Sequence, residues 1–230
     1  MPWIFVGPAA ALFVLFFAYP LAASFLQSLQ TTEAGVTEWT GVGQYTRMLD
    51  DPSFLQSLSN VALILVVQVP IMIGLAVVLA YVLNQSWLRF RATLRAAYFL
   101  PAVTTLVAYA VVFRVLLKTE GGAVNQILGV EVDWLNDPFW ARVALIASIT
   151  WRWTGYNAII LLAGLQAVGR EQYEAAAIDG AGPLVTFRRV VLPQLRPVVL
   201  FCSITSTIGT LQLFDEPLVL TGGGPADSTL

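Results

Sequence analysis

The sequence predicts an all-α protein, a polytopic helical bundle built into a membrane. Hydrophobic residues fill 57% of its 230 positions and charged residues only 11%, with a mean hydropathy of +0.75. A soluble domain is about 45–50% apolar and about 25% charged, because a surface facing water needs polar side chains to cover it. A chain this poor in charge faces lipid. The charges are also grouped. None precedes Glu33, and none falls in 52–88, 96–113, 153–169 or 197–214.

A membrane helix needs about 20 apolar residues and satisfies its own backbone inside lipid. The charge-free blocks therefore predict five spans, roughly 4–29, 59–84, 96–117, 140–168 and 197–220. Pro70 and Pro101 are expected to kink the second and third. Basic residues orient the bundle. The loops 85–95 and 169–196 carry Arg89, Arg91, Arg95, Arg170, Arg188, Arg189 and Arg196, seven of the twelve Lys and Arg. The segments 30–58 and 118–139 carry Arg47 and Lys118 against Glu33, Glu38, Asp50, Asp51, Glu120, Glu131, Asp133 and Asp137. The N-terminus is thus expected inside. Trp39, Trp134 and Trp140 suit the membrane boundary.

The first apolar run is too long for a signal peptide and lacks a basic start, so it reads as a retained span. Five spans place the C-terminus outside, after a turn-forming Thr221-Gly222-Gly223-Gly224-Pro225 stretch. A sixth span is expected to be missing beyond it. The domain reading is 1–54, an N-terminal span with an outer loop, and 55–230, the core.

Several function classes drop out. A net charge of −2 and a pI near 5.1 do not suit nucleic acid. There is no histidine to serve as base or metal ligand. Cys202, the single cysteine, lies in an apolar run and reads as a packing residue. Gly222-Gly223-Gly224 lacks the Lys-Ser/Thr of a phosphate-binding loop, so ATP hydrolysis would need a partner.

The loop 169–196 carries the most specific pattern. It reads Glu174-Ala175-Ala176, three residues, Gly180, nine residues, Val190, one residue, then Leu192-Pro193. Locally, Gln172 to Asp179 favours helix, Gly180 and Gly182 permit a bend, and Pro183 opens a second short helix. Pro193 and Pro197 are expected to end it, and Glu174 can pair with Arg188 or Arg189 across the joint. The bland alternative is a solvated loop with a few salt bridges. With Val190 in place of Ile, the pattern resembles the EAA signature of permeases in binding-protein-dependent ATP-binding-cassette importers. Asp179-Gly180-Ala181, Gly155-Tyr156-Asn157, Ala163-Gly164-Leu165-Gln166 and Phe214-Asp215 before Thr221-Gly222-Gly223-Gly224-Pro225 resemble the sugar branch of that family, the maltose, trehalose, lactose or glycerol-phosphate type. The resemblance covers about 55–230.

It implies a transmembrane subunit of an ATP-driven importer in the prokaryotic cytoplasmic membrane, which receives a sugar or sugar-like solute from an extracytoplasmic binding protein. A second permease and two ATP-binding-cassette ATPase copies would be its partners. ATP and Mg2+ would sit on the ATPase, and this chain would be no enzyme and bind no cofactor or metal. Glu174, Ala175, Ala176, Asp179, Gly180, Ala181, Leu192 and Pro193 would form the ATPase-coupling helix.

Candidate pathway residues follow from chemistry. Arg152 lies about 15 Å into span four, at about 1.5 Å per residue, where a charge needs a cavity or a partner. Trp151, Trp153, Tyr156 and Asn157 surround it in sequence. Rings stack on apolar sugar faces, and amide or guanidinium groups take hydroxyls. Gln212, Asp215 and Glu216 add polar groups near the outer end of span five. The plainer readings are a structural ion pair for Arg152 and boundary packing for the tryptophans. A stand-alone secondary transporter or channel is the alternative class; such proteins carry internal repeats and several midplane ionisable residues, whereas here only Arg152 stands at that depth.

Overall fold

The computed structural model of the chain describes residues 3–33 and 35–229. The backbone divides into two compact units, Met1–Leu55 and Gln56–Leu230. In the first, α1 (Trp3–Phe13), a widened π-turn (Val14–Ala18) and α2 (Tyr19–Ser28) form one helical run. The wide turn precedes Pro20, whose ring has no N–H for the normal ladder; the Tyr19 N–H instead reaches Val14 O. Two strands then depart from the all-α expectation. β1 (Gln30–Glu33) and β2 (Val36–Trp39) pair antiparallel, with Thr31 opposite Glu38 and Thr32 opposite Thr37. The β-branched run of Thr31, Thr32, Val36 and Thr37 favours this pleat. A short α3 (Gly43–Leu49) follows.

The second unit is built on α4 (Pro52–Asn84), which starts earlier than the expected 59 and runs unbroken through Pro70. Its buried Val69, Met72, Ile73, Ala76, Ala80 and Leu83 recur at helical spacing and form one stripe. They pack with Ala158, Leu161, Leu162 and Leu165 of α8 (Pro138–Ala167) and with Cys202 of α12 (Arg196–Leu211). Small residues on such stripes let helices approach where lipid supplies no hydrophobic drive. Closest is Gly155, where an added Cβ would stand 1.7 Å from the Tyr98 carbonyl oxygen. The opposite face of α4 exposes Val66, Ile71, Leu75 and Val78.

Span three is not one kinked helix. α5 (Arg91–Val103) and α6 (Leu106–Leu116) meet at 98°, and the break falls at Thr104 and Thr105, both extended, rather than at Pro101. α7 (Ala123–Leu128) leads to α8, whose Asp137 cap accepts from the Phe139 and Trp140 N–H groups. Beyond α8 come α9 (Arg170–Ile178), α10 (Pro183–Thr186), a π-turn (Phe187–Val191) and α11 (Leu192–Gln194). α12 follows at a 66° bend. The expected fifth helix stops at Leu211 and resumes as α13 (Asp215–Thr221), and a short turn (Pro225–Asp227) comes last. Among the described residues two helices, Ile4–Ser28 and Pro52–Asn84, are long and apolar enough to cross a membrane alone, and up to four spans result if each bent pair counts as one.

Candidate solute cavity and the 169–196 loop

Between α4, α8, α12 and α13 lies a cavity of about 300 Å³. On α8 the spacing of Trp153, Tyr156 and Asn157 puts all three on one face, and all three line it. α4 contributes Gln68 and Met72, α12 contributes Thr205, Ser206, Gly209 and Thr210, and α13 contributes Glu216. Rings, amides, hydroxyls and one carboxylate thus converge inside a helical bundle. Gln68 and Asn157 are buried. Gln68 Oε1 accepts from the Thr210 hydroxyl at 3.2 Å, and Asn157 Nδ2 donates to Trp153 O at 3.1 Å.

Arg152 stands behind this wall rather than on it. Its Nη1 lies 3.4 Å from Glu216 Oε1, and Nη2 donates to Thr104 O at 3.2 Å. Its guanidinium carbon sits 4.6 Å from the Tyr109 ring centre and 5.3 Å from that of Trp153. One buried side chain therefore ties α8 to the break between α5 and α6 and to α13. The carbonyl freed by the break finds a donor, as apolar surroundings demand. Trp151 is half-exposed and packs edge-on against Phe113, which is the packing role. Gln212 and Asp215 are exposed and outside the cavity; the neighbouring Glu216 takes that place. Gln68, Met72, Thr205, Ser206 and Thr210 were missed in sequence, although Gln68 interrupts a charge-free helix and so carried a signal.

The 169–196 loop has a different character. α9 ends at Ile178 with Asp179 as its cap, and Gly180 turns the chain at φ +75°, a conformation costly to residues with a Cβ. The Ala181 N–H returns to Ala176 O at 2.9 Å. Gly182 is ordinary backbone at φ −68°. Ala176 is buried, while Glu174, Ala175 and Asp179 are exposed. Two apolar side chains flank the turn in the open, Ile178 at 86% and Leu184 at 77% exposure. The expected pairing of Glu174 with Arg188 or Arg189 is corrected: among the described residues the ion pair is Arg152–Glu216. The joint is held instead by Gln194 donating to Gln172. Leu192 and Pro193 form α11, the last turn of the helical run Pro183–Gln194, which ends at the 66° bend into α12. On α9 the Tyr173 phenol is pushed up by burial first and by Tyr81 second.

The loop after α13 is clamped from two helices, and the end of α13 itself from a third. Gln56 and Asn60 of α4 donate to Ala226 O at 2.7 Å and Asp227 O at 2.8 Å. Arg142 of α8 donates to Ser228 O at 2.9 Å and to Asn60 Oδ1 at 3.1 Å. Arg114 of α6 donates to Leu220 O at 3.0 Å.

Residues 53–230 match the family model described as the binding-protein-dependent transport system inner membrane component. The chain is similar to the lactose transport system permease protein LacF of Rhizobium radiobacter, 47% identical over 99% of this chain and 79% of the relative. It is 36% identical to the sulfoquinovosyl glycerol transport system permease protein SmoG of Agrobacterium fabrum, over 98% of this chain and 75% of that one. The fold matches the crystal structure of a bacterial ABC transporter involved in the import of the acidic polysaccharide alginate, with a TM-score of 0.83 at 22% identity, over 99% of this chain and 78% of that one.

Proposed function

The chain belongs to the family of binding-protein-dependent transport system inner membrane components, and from that premise we propose that it is the transmembrane subunit of an ATP-driven importer for a sugar or sugar-like solute. It is a multi-pass protein of the prokaryotic inner membrane and a transport component, with ATP handled by a partner ATPase. A second permease, two ATPase copies and an extracytoplasmic binding protein complete the assembly.

The observation that carries the sugar reading is the cavity, where Trp153 and Tyr156 offer ring faces beside the amides of Gln68 and Asn157 and the hydroxyls of Thr205, Ser206 and Thr210. Such a mixture suits a polyhydroxylated ligand. In this reading Trp153, Tyr156 and Asn157 touch the solute, and Arg152 holds the wall behind them. Gln212 and Asp215 would meet solute only on the approach to the cavity.

Residues 1–54 act as an N-terminal span with an outer segment, and 55–230 as the core permease domain. Five spans fit the helices found, with α5 and α6 as one broken span, α12 with α13 as the last, and α8 crossing alone. At 30 residues α8 is long enough to cross, since a span needs about 20. The loops 85–95 and 169–196 then share the inner side. There the turn at Gly180, with Glu174, Ala175, Ala176, Asp179 and Ala181 beside it and Leu192-Pro193 closing the segment, seats in the partner ATPase. In this reading the exposed Ile178 and Leu184 beside the turn lie against that partner.

The test is uptake of lactose, maltose and trehalose by the full complex in proteoliposomes. Asn157→Leu removes a buried amide without changing helix propensity much, and uptake of the transported sugar is expected to fall about tenfold or more, as losing a hydrogen-bonding group does in selective sites. Undiminished uptake would remove this cavity from the pathway.

A further inference from the structure

The hydrogen-bonding groups of the cavity wall are unevenly committed. The Thr210 hydroxyl donates to Gln68 Oε1. The Thr205 hydroxyl faces the Phe201 and Cys202 carbonyl oxygens at 2.8 and 3.1 Å. The Asn157 amide N–H is held by Trp153 O, and Gln68 Nε2 contacts Met72 Sδ at 3.2 Å. Two acceptors remain. Asn157 Oδ1 is buried with no protein partner. Glu216 uses Oε1 toward Arg152, and its second oxygen has no hydrogen bond among the described residues. Ser206 and Tyr156 keep hydroxyls that can act either way.

Glu216 is also the one charged residue in the wall among the described residues. Arg152 neutralises it overall but from behind, committed in addition to Thr104 O and to two ring faces. A solute in the cavity therefore meets the negative end of an oriented pair. Sugar hydroxyls can donate to Glu216 and Asn157. A carboxylate, sulfonate or phosphate brings only acceptors and a like charge, and in surroundings of reduced dielectric that juxtaposition is strongly unfavourable.

We propose that Glu216, positioned by Arg152, makes this cavity select neutral polyhydroxylated solutes over sugar acids of the same size. The proposal rests on the sugar-pathway reading above and adds to it the charge class of the cargo.

The experiment must bypass the binding protein, which selects independently. The purified complex without binding protein, carrying Ser206→Cys in this chain, is labelled with uncharged N-ethylmaleimide, and modification at residue 206, resolved from Cys202 by fragmentation, is followed by mass spectrometry. The probes are lactose and maltose against their aldonic acids, lactobionate and maltobionate, at equal millimolar concentration. The neutral sugars are expected to slow labelling at least threefold and the acids not measurably. Adding Glu216→Gln is expected to bring protection by the acids to within about twofold of the neutral sugars. Because that change leaves Arg152 buried without its carboxylate, Arg152→Met with Glu216→Gln is tested in parallel and should behave alike. If neutral sugars protect while the acids stay excluded in both variants, Glu216 is not the determinant and the pathway reading stands. Equal protection by the acids with Glu216 intact also overturns the proposal. Protection by none of the four would overturn the pathway reading and this inference with it.

Discussion

Two glycine-bearing turns, the one after α9 and the one after α13, are built on opposite plans. At the first, a Cβ added to Gly180 would meet nothing within 4 Å, and Ile178 and Leu184 stand in the open. At the second, a Cβ on Gly224 would lie 2.7 Å from Thr229 Oγ1 and 2.8 Å from Ser228 Oγ. Ala226 and Asp227 there hold φ values of 50° and 53°, each a strain of about 1–2 kcal/mol. Side chains from α4 and α8 take the carbonyls of 226, 227 and 228. The strained turn is closed on its own protein. The relaxed one leaves Ile178 and Leu184 exposed.

The largest effect expected from this contrast separates folding from transport. Gly224→Val combines a clash with a left-handed backbone and should cost several kcal/mol, in line with large mutational effects of about 4 kcal/mol; folded yield in detergent should collapse. Gly180→Val carries only the backbone strain, about 1–2 kcal/mol. It should fold with near-normal yield yet lose at least tenfold in uptake. Equal yields for the two variants would erase the distinction.

A smaller effect compares arginines. Arg142→Ala removes two hydrogen bonds from a charged donor, each worth about 1.5–3 kcal/mol, and should lower the unfolding midpoint markedly. Arg188→Ala and Arg189→Ala should shift stability by no more than about 0.5 kcal/mol, because both are exposed and outside the ion pair found among the described residues. Similar shifts for all three would mean that Arg142 does not hold the closed turn.

The smallest effect tests a third segment, also held by side chains. Asn125 binds Thr119 O, Val132 O and the Trp134 indole. Beside it, the Thr119 hydroxyl holds the Asp133 carboxyl below the usual carboxylate range, with burial opposing and Asn136 assisting. A depressed value means that the contribution to stability is present above the ordinary carboxylate range and is lost as pH falls through Asp133's own value. Thr119→Val should move the Asp133 titration, followed by NMR, back toward ordinary. An unchanged titration would remove the hydroxyl as its cause.

The sequence was most legible where charge and capping decide. The expected 140–168 helix is α8 at Pro138–Ala167, started by Asp137, and Trp153, Tyr156 and Asn157 share a face by spacing alone. The breaks at 104–105 and 212–214 were not legible, because they depend on groups distant in sequence. Thr104 O is taken by Arg152, 48 residues away, and Glu216 reaches the cavity because α13 restarts after the break. The proline rule also misled: Pro70 leaves α4 intact and Pro101 lies short of the bend. The strand pair at 30–39 had a signal in its β-branched residues, overshadowed by the hydropathy of the rest.

The most direct test of the open turn as the ATPase seat is ATP hydrolysis by the reconstituted complex carrying Glu174→Lys. Complex assembly and basal hydrolysis by the isolated ATPase should be retained, while stimulation by sugar-loaded binding protein, and uptake with it, should fall to background. Full stimulation and full uptake by that variant would contradict the account.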